Sequence, residues 1–427
     1  MNNAVEKIES FQKFGSVLGL ERMTSLMELL GNPQDDLKYV HVAGTNGKGS
    51  ICMYIYETLQ AAGYKAGLYT SPFLEVFNER IQFDGKNISD EDLSRTTEKV
   101  LEKVKVMTDR GEDSPTEFEI ITAIAFLYFK EKNADIVVLE VGLGGIGDST
   151  NIIKDPLVSV IASISFDHTD RLGKTLAEIA GNKAGIIKEG CPVVTSASSE
   201  EALEVFRKKA SDCHTMVLET KDIQYEITKK DITGQKFSCT IFYRDFEDIE
   251  ISMLGDHQIE NAICALSALC TMEFAGDIEI PDESYYEGFK KAKQIGRFEI
   301  MSEKPYVILD GAHNPDGART LYQTMTEHFS GKRILMVSGM LADKDTDLIV
   351  ETFTKITKDF VATEPDNPRK MDCEALKEKL ERNGASATAI KDYKDAVEYA
   401  FSHKDEYDVI LMAGSLYLIG GIRKNMH

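Results

Sequence analysis

The sequence predicts an α/β protein in two parts: an N-terminal P-loop-type domain with a mostly parallel sheet, and a smaller C-terminal Rossmann-like α/β domain. Three observations carry this. A short apolar segment, Leu37 to Ala43, runs into the glycine-rich turn Gly44-Thr45-Asn46-Gly47-Lys48-Gly49-Ser50 and then into a helical pattern. Nearly continuous apolar runs, Ala134 to Val141 and Leu157 to Ile164, read as strands buried on both faces, as in parallel sheets. After the hinge-like Gln294-Ile295-Gly296-Arg297-Phe298-Glu299, the alternation of strand and helix begins again. At 427 residues the chain exceeds one ordinary core, and the division is placed at 1–295 and 296–427.

In chain order, residues 4 to 30 show helical spacing and stop at Gly31-Asn32-Pro33. The glycine-rich turn comes next, between a strand and the helix Ile51 to Ala62. Free N–H groups of such a turn, with the helix dipole, make an anion cradle. Lys48 adds a mobile positive charge and Ser50 a hydroxyl suited to Mg2+. The spacing departs from the usual P-loop: only Thr45 and Asn46 separate Gly44 from Gly47, and Gly49 stands between Lys48 and Ser50. Ala66 to Pro72 reads as a strand entering a turn, and Phe73 to Ile81 as an extended loop carrying Glu75, Glu79 and Arg80. Ser89 caps a helix running to about Met107. Thr116-Glu117-Phe118-Glu119 opens an apolar helix, where an acid is favoured by the dipole whatever else it does.

Gly142 to Asn151 reads as a flexible loop after the strand that ends near Glu140. The next strand ends in Ser165-Phe166-Asp167-His168, at the carboxyl edge where open α/β sheets collect ligands. Thr175 to Ile187 reads as a helix in which Lys183, among small residues, is prone to burial and a lowered pKa. Residues 201 to 254 alternate more than they show helical spacing, which suggests an antiparallel meander between Val217 and Leu254. The helix Ala262 to Met272 and one ending at Lys293 precede the hinge. Beyond it, strands are expected at Tyr306 to Leu309, Ile334 to Ser338, Phe360 to Thr363 and Val409 to Ala413, with a helix at Ala318 to Phe329.

Composition narrows the function. The net charge of −22 argues against a nucleic-acid partner and requires local cations for any anionic ligand. No apolar run approaches the ~20 residues of a membrane span. The start, Met1-Asn2-Asn3-Ala4-Val5-Glu6, has neither the basic nor the apolar part of a signal peptide. The seven scattered cysteines fit reduced thiols in a cytoplasm.

Taken together, His-Val-Ala-Gly-Thr-Asn-Gly-Lys-Gly-Ser, Asp167-His168, Asn182-Lys183-Ala184-Gly185-Ile186, His257-Gln258 with Asn261, Gly296-Arg297, Asp310-Gly311-Ala312-His313-Asn314-Pro315 and the final Gly-Ser-Leu-Tyr-Leu resemble the folylpolyglutamate synthases. These enzymes belong to the Mur ligase superfamily and often have dihydrofolate synthase activity as well. The resemblance implies an ATP-dependent amide ligase: a folate carboxylate takes the γ-phosphoryl group of ATP, and the amino group of L-glutamate attacks the acyl phosphate. It implies that 1–295 binds ATP and 296–427 binds glutamate. It places Thr45, Asn46, Gly47, Lys48, Gly49, Ser50, Asn261, Arg297, Asp310 and His313 at ATP, and Ser50, Glu119, His168 and Lys183 at Mg2+, with Lys183 as a carbamate. Lys48, His168 and Lys183 are the catalytic candidates. Ser71, Pro72 and Arg80 fall in the folate site and Ser415 near glutamate. ATP, Mg2+, a monovalent cation such as K+ and small-molecule substrates are the implied partners, in a monomeric cytoplasmic enzyme.

Two positions depart from the family pattern. Phe73 stands where a His commonly follows Ser-Pro, and Ile146-Gly147 replace Arg-Leu, while Asp148, Thr150 and Asn151 remain. These departures leave open whether dihydropteroate is a substrate. Two rivals are a cell-wall Mur-type ligase acting on a UDP-linked acid and a P-loop nucleotide switch. The latter lacks the Asn-Lys-x-Asp it would need for guanine.

Overall fold

Strand Tyr39–Ala43, buried along its whole length, lies inside the larger of two main sheets. A computed structural model describes residues 3–15 and 17–426; the expectation for Met1 and Asn2 lies outside them. Eight strands pair in the order Lys86–Asn87, Ile81–Phe83, Ala66–Tyr69, Ile136–Glu140, Tyr39–Ala43, Val158–Ile161, Val193–Thr195 and Val217–Glu219. From Ala66–Tyr69 onward they run parallel. Ile81–Phe83 and Lys86–Asn87 add antiparallel at the edge. The chain leaves Tyr39–Ala43 to build one side and, after Ile136–Glu140, crosses to build the other. The carboxyl end of Tyr39–Ala43 is therefore a topological switch point, the place such sheets bind ligands.

The helix after that strand, Lys48–Ala61, is buried on more than one face, through Ile51, Cys52, Tyr54, Ile55, Tyr56, Thr58 and Leu59. Helix Asp282–Lys291 packs on it: Tyr54 stacks on Phe289 with ring centres 5.0 Å apart. Only a glycine fits at 288, because a Cβ there would lie 2.4 Å from the Thr58 backbone. The lead-in is two helices rather than one, Asn3–Glu9 and Glu21–Leu29, with a 3-10 turn at Ser10–Phe14. Their apolar sides join helix Glu117–Glu131 in one core.

Two expectations change between residues 200 and 254. Glu200–Asp212 is a helix whose buried stripe is Ala202, Leu203, Phe206 and Ala210. Those positions recur at helical spacing, which the alternation of the strands after Tyr225 masks when residues 201 to 254 are read together. Val217–Glu219 joins the large sheet as its parallel edge strand. The meander is real but starts later, as Tyr225–Asp231, Gly234–Ile241 and Arg244–Ile251 in a sheet of their own. Links of two residues force neighbouring strands antiparallel.

The second main sheet has the order Glu299–Glu303, Tyr306–Asp310, Val409–Ala413, Ile334–Ser338, Asp359–Glu364, Ser386–Asp392. Its first pair is antiparallel and the rest are parallel. The chain separates into two compact units. The first holds residues up to Thr228 with Lys236–Ile251 and Ile259–Ala292; the second holds Lys229–Gln235, Ser252–Gln258 and the chain from Lys293 onward. Within the second unit the short excursions are tied in by polar contacts. Gln235 Nε2 donates to the carbonyls of Met253 (2.8 Å) and Gly255 (3.1 Å), and Lys230 pairs with Asp256 and Glu327. Among the described residues no helix is long and apolar enough to cross a membrane.

Candidate active site

Gly44 and Gly47 turn the chain from strand Tyr39–Ala43 into helix Lys48–Ala61 with φ of +149° and +87°. A Cβ at Gly44 would meet Ala162 Cβ at 2.5 Å, and one at Gly47 would meet Asn261 Oδ1 at 2.3 Å. The loop is thus packed so closely that only glycine fits at both places, and Asn261 is set against it. Hydrogen bonds fix it to the next strand end. Thr45 N–H donates to Ser163 O (2.8 Å), Thr45 Oγ1 to Ser165 O (3.1 Å), and Ser163 Oγ to Asn46 O (3.2 Å).

Two lysines converge on one carbonyl. Lys48 Nζ donates to Gly44 O (3.2 Å) and Thr45 O (3.3 Å), and Lys183 Nζ donates to Gly44 O at 2.7 Å. Lys183 lies in helix Leu176–Lys183 and is 4% exposed. Burial, and then the charge of Lys48, pull its pKa from 10.5 down to about 7. Ser50 is buried in the first turn of helix Lys48–Ala61.

Glu140, which the sequence reading did not select, ends strand Ile136–Glu140 and is 5% exposed. One of its oxygens accepts from Ser71 N–H (3.1 Å) and the other lies 3.9 Å from Lys48 Nζ. A lone acid at the carboxyl end of an apolar strand was the available signal. His168 begins the short helix Thr169–Leu172 at φ +49°, with its N–H on Asp167 Oδ1 at 2.9 Å and its ring half-exposed.

Glu119 is fully engaged. Thr116 and Glu119 form a reciprocal cap on helix Glu117–Glu131. Arg22 also pairs with both Glu119 oxygens, Nε to Oε2 at 3.0 Å and Nη2 to Oε1 at 2.9 Å. Among the described residues no three His, Cys, Asp or Glu side chains stand close enough to hold a metal by themselves. Mg2+ commonly takes most of its shell from phosphate oxygens and water, and a single loop hydroxyl such as that of Ser50 is compatible with this habit.

The loop Gly142 to Asn151, expected to be flexible, is tied down by hydrogen bonds. Asp148 is buried and accepts from Leu143 N–H (2.8 Å), Thr150 N–H (3.0 Å) and Thr150 Oγ1 (2.6 Å). Because that hydroxyl donates to Asp148, it accepts from His41 Nε2 at 2.9 Å. Burial, then Lys188, keep this His neutral, with a pKa of about 3. Gly147 O takes Gly19 N–H (3.0 Å) and Ile146 N–H donates to Asn182 O (3.0 Å). The loop's glycines allow close approach here, and the buried Asp supplies the order.

In the second unit Asp310 ends strand Tyr306–Asp310 and accepts from Phe298 N–H and Ala312 N–H, both at 2.8 Å. Burial raises its pKa and Arg297 opposes the rise. His313 Nδ1 donates to Gly311 O at 2.8 Å. Ser415 is buried, and its hydroxyl accepts from Tyr417 N–H (3.2 Å) at the start of helix Leu416–Met426.

Residues 42–269 match the Mur ligase middle domain and 296–416 the Mur ligase glutamate ligase domain. The chain is 39% identical over 417 residues to the dihydrofolate synthase/folylpolyglutamate synthase of Bacillus subtilis, covering 97% of this chain and 96% of the relative. The chain belongs to the folylpolyglutamate synthase/dihydrofolate synthase family of Mur ligases. The fold agrees with folylpolyglutamate synthase of Mycobacterium tuberculosis, solved with ADP and AMPPCP (TM-score 0.91, 31% identity, 99% and 98% of the two chains). It agrees also with a folylpolyglutamate synthase complex holding AMPPCP and folate (TM-score 0.87, 32% identity, 100% of both). The family's usual Arg-Leu is replaced here by Ile146-Gly147, and a Cβ at Gly147 would meet Gly19 N at 2.9 Å. Phe73, in place of the family's His, packs against Phe77 with ring centres 5.7 Å apart.

Proposed function

We infer that the protein is an ATP-dependent amide ligase that joins L-glutamate to a folate or to its growing glutamate tail. Dihydropteroate is a second acceptor to be tested. The observation that carries this is the phosphate loop at the sheet's switch point, with Lys48 and Lys183 both on Gly44 O, in a chain belonging to this ligase family.

The chemistry asks for a masked charge. A carboxylate repels an incoming amine's electrons and has no good leaving group. Transfer of the γ-phosphoryl group makes an acyl phosphate, the glutamate amine adds to its carbonyl, and phosphate departs with the C–O bond. Lys48 is assigned to the β- and γ-phosphates, where its charge offsets that gained in transfer. Thr45 to Ser50 supply N–H donors to the phosphates, and Asn261 borders them. Arg297, Asp310 and His313 are assigned to the nucleotide and Ser415 to the incoming glutamate. Ser71, Pro72 and Arg80 are assigned to the folate. Mg2+, when bound, would spread the phosphate charge, with Ser50 as its loop ligand and His168 and Glu119 as further candidates. Glu119 would have to leave Arg22 to serve.

A carbamate on Lys183 is part of this reading. With a pKa of about 7 the amine is substantially neutral at physiological pH, and the neutral amine is the form that adds CO2. A monovalent cation such as K+ is a further expected component. Buried, unpaired cysteines support a reducing cytoplasm, and a monomer is the expected state. An oxygen-18 label in the acceptor carboxylate tests the chemistry. One labelled oxygen should appear in the released phosphate; label lost to AMP or to water, with none in phosphate, would remove the acyl phosphate.

A further inference from the structure

The loop between strands Ala66–Tyr69 and Ile81–Phe83 is closed and internally braced. Thr70 N–H donates to Arg80 O at 3.1 Å, which pins its ends together. Inside it the Glu79 carboxylate accepts from the N–H groups of Leu74 (2.8 Å), Glu75 (3.1 Å) and Val76 (2.9 Å). At its start Ser71 N–H is held by Glu140, whose other oxygen stands 3.9 Å from Lys48 Nζ. The loop is therefore fixed in shape and fixed relative to the phosphate lysine.

This frame presents a guanidinium. Arg80 Cζ lies 5.2 Å from the centre of the Phe73 ring and 5.5 Å from that of Phe77. The two rings are inclined at 56°, so the charge rests in an aromatic corner. Arg80 Nε is shut off from solvent without a hydrogen-bond partner. Among the described residues the side chain makes no hydrogen bond and no ion pair. Glu117 feels its charge but does not close on it. A guanidinium held on aromatic faces, with its Nε unpaired, suits a planar, two-oxygen anion.

We propose that Arg80, gripped by Phe73 and Phe77, receives the acceptor carboxylate that is not activated, and thereby sets which carboxylate meets the phosphate. The proposal rests on the ligase reading above. The terminal glutamate of a folate carries two carboxylates on one residue, and only one is to become the acyl phosphate. Both are anions of similar size, so a phosphate loop alone does not tell them apart. A receptor fixed relative to Lys48 does. Arg80 is then a binding residue, and Phe73 a positioning residue that acts through it. Phenylalanine suits that task better than histidine. An imidazole titrates near pH 6.5, and its protonated form repels a guanidinium.

Calorimetric binding to the intact protein tests this without requiring turnover. The probes are tetrahydrofolate and its analogues in which one or the other glutamate carboxylate is a carboxamide. The wild-type protein should lose affinity for the analogue lacking the unactivated carboxylate by about 10- to 100-fold. Arg80→Gln should bind tetrahydrofolate as weakly as the wild type binds that analogue, and should bind the analogue itself no worse. Phe73→Ala should fall between them, Phe73→Tyr should match the wild type, and Phe73→His should weaken as pH drops through 6.5. Equal loss by Arg80→Gln for all three ligands, or no loss for any, would overturn the proposal, as would unchanged binding by Phe73→Ala. If the wild-type protein binds none of the ligands, the ligase reading fails first and this inference falls with it.

Discussion

Lys183 joins burial, charge and chemistry in one side chain. An amine whose pKa falls on folding, here from 10.5 to about 7, binds fewer protons in the native than in the unfolded chain. Stability therefore rises with pH between those two values; the penalty is full below about pH 7 and gone above about 10.5. Lys183→Met should stabilise the protein at pH 7 by up to about 4 kcal/mol in CO2-free buffer. That gain should shrink towards pH 10 in denaturant titrations; a gain that does not vary with pH would mean the lysine is not held this way. Lys183→Ala should abolish turnover, with partial rescue by short carboxylic acids that stand in for a carbamate; unchanged turnover would remove Lys183 from the site. Thr150 is a second such point, because one hydroxyl serves both His41 and Asp148. Thr150→Val should cost about 2 kcal/mol of the first unit's stability by chemical denaturation, since a buried carboxylate loses a donor. Lys183's small-residue neighbourhood was legible in the sequence. The links from His41 to Asp148 and from Glu140 to Ser71 were not, because they join residues from separate strands and loops.

At the scale of elements, the phosphate loop was the most legible part, because its glycines mark close approaches that no other residue tolerates. Gly47→Ala would force a Cβ to 2.3 Å from Asn261 Oδ1 at a φ of +87°. The stabilisation that a non-hydrolysable ATP analogue gives the wild type in thermal melts should vanish in this variant. Helix Glu117–Glu131 carries the sharper question of Glu119. Thr116→Ala should cost about 1 kcal/mol as a lost cap. Glu119→Gln should lower the melting temperature without nucleotide or Mg2+ if the cap and the Arg22 pair are its main work. A variant that melts normally but needs far more Mg2+ for turnover would favour metal ligation instead. Helix Glu200–Asp212 and strand Ser386–Asp392 were hard to read for a shared reason. Each carries little large apolar surface: the helix buries only Leu203 and Phe206 beside two alanines, and no residue of the strand is fully buried.

For the whole molecule, a net charge of −22 frames the function. Every substrate in the proposed reaction is an anion, so the proposal assigns binding to a few placed cations, Lys48, Arg80 and Arg297, rather than to the field of the protein. Two α/β sheets follow from apolar runs and a hinge that can be seen in the sequence, whereas the order of their strands comes only from the structure. The excursions Lys229–Gln235 and Ser252–Gln258, which belong to the second unit, could not be read, because chain order does not reveal which unit a hairpin tip joins. Phosphate release with ATP and L-glutamate, compared across tetrahydrofolate, dihydropteroate and a UDP-muramoyl acceptor, tests the central claim most directly. Turnover with tetrahydrofolate is the predicted result, with or without dihydropteroate. Turnover with the UDP-muramoyl acceptor alone would contradict it.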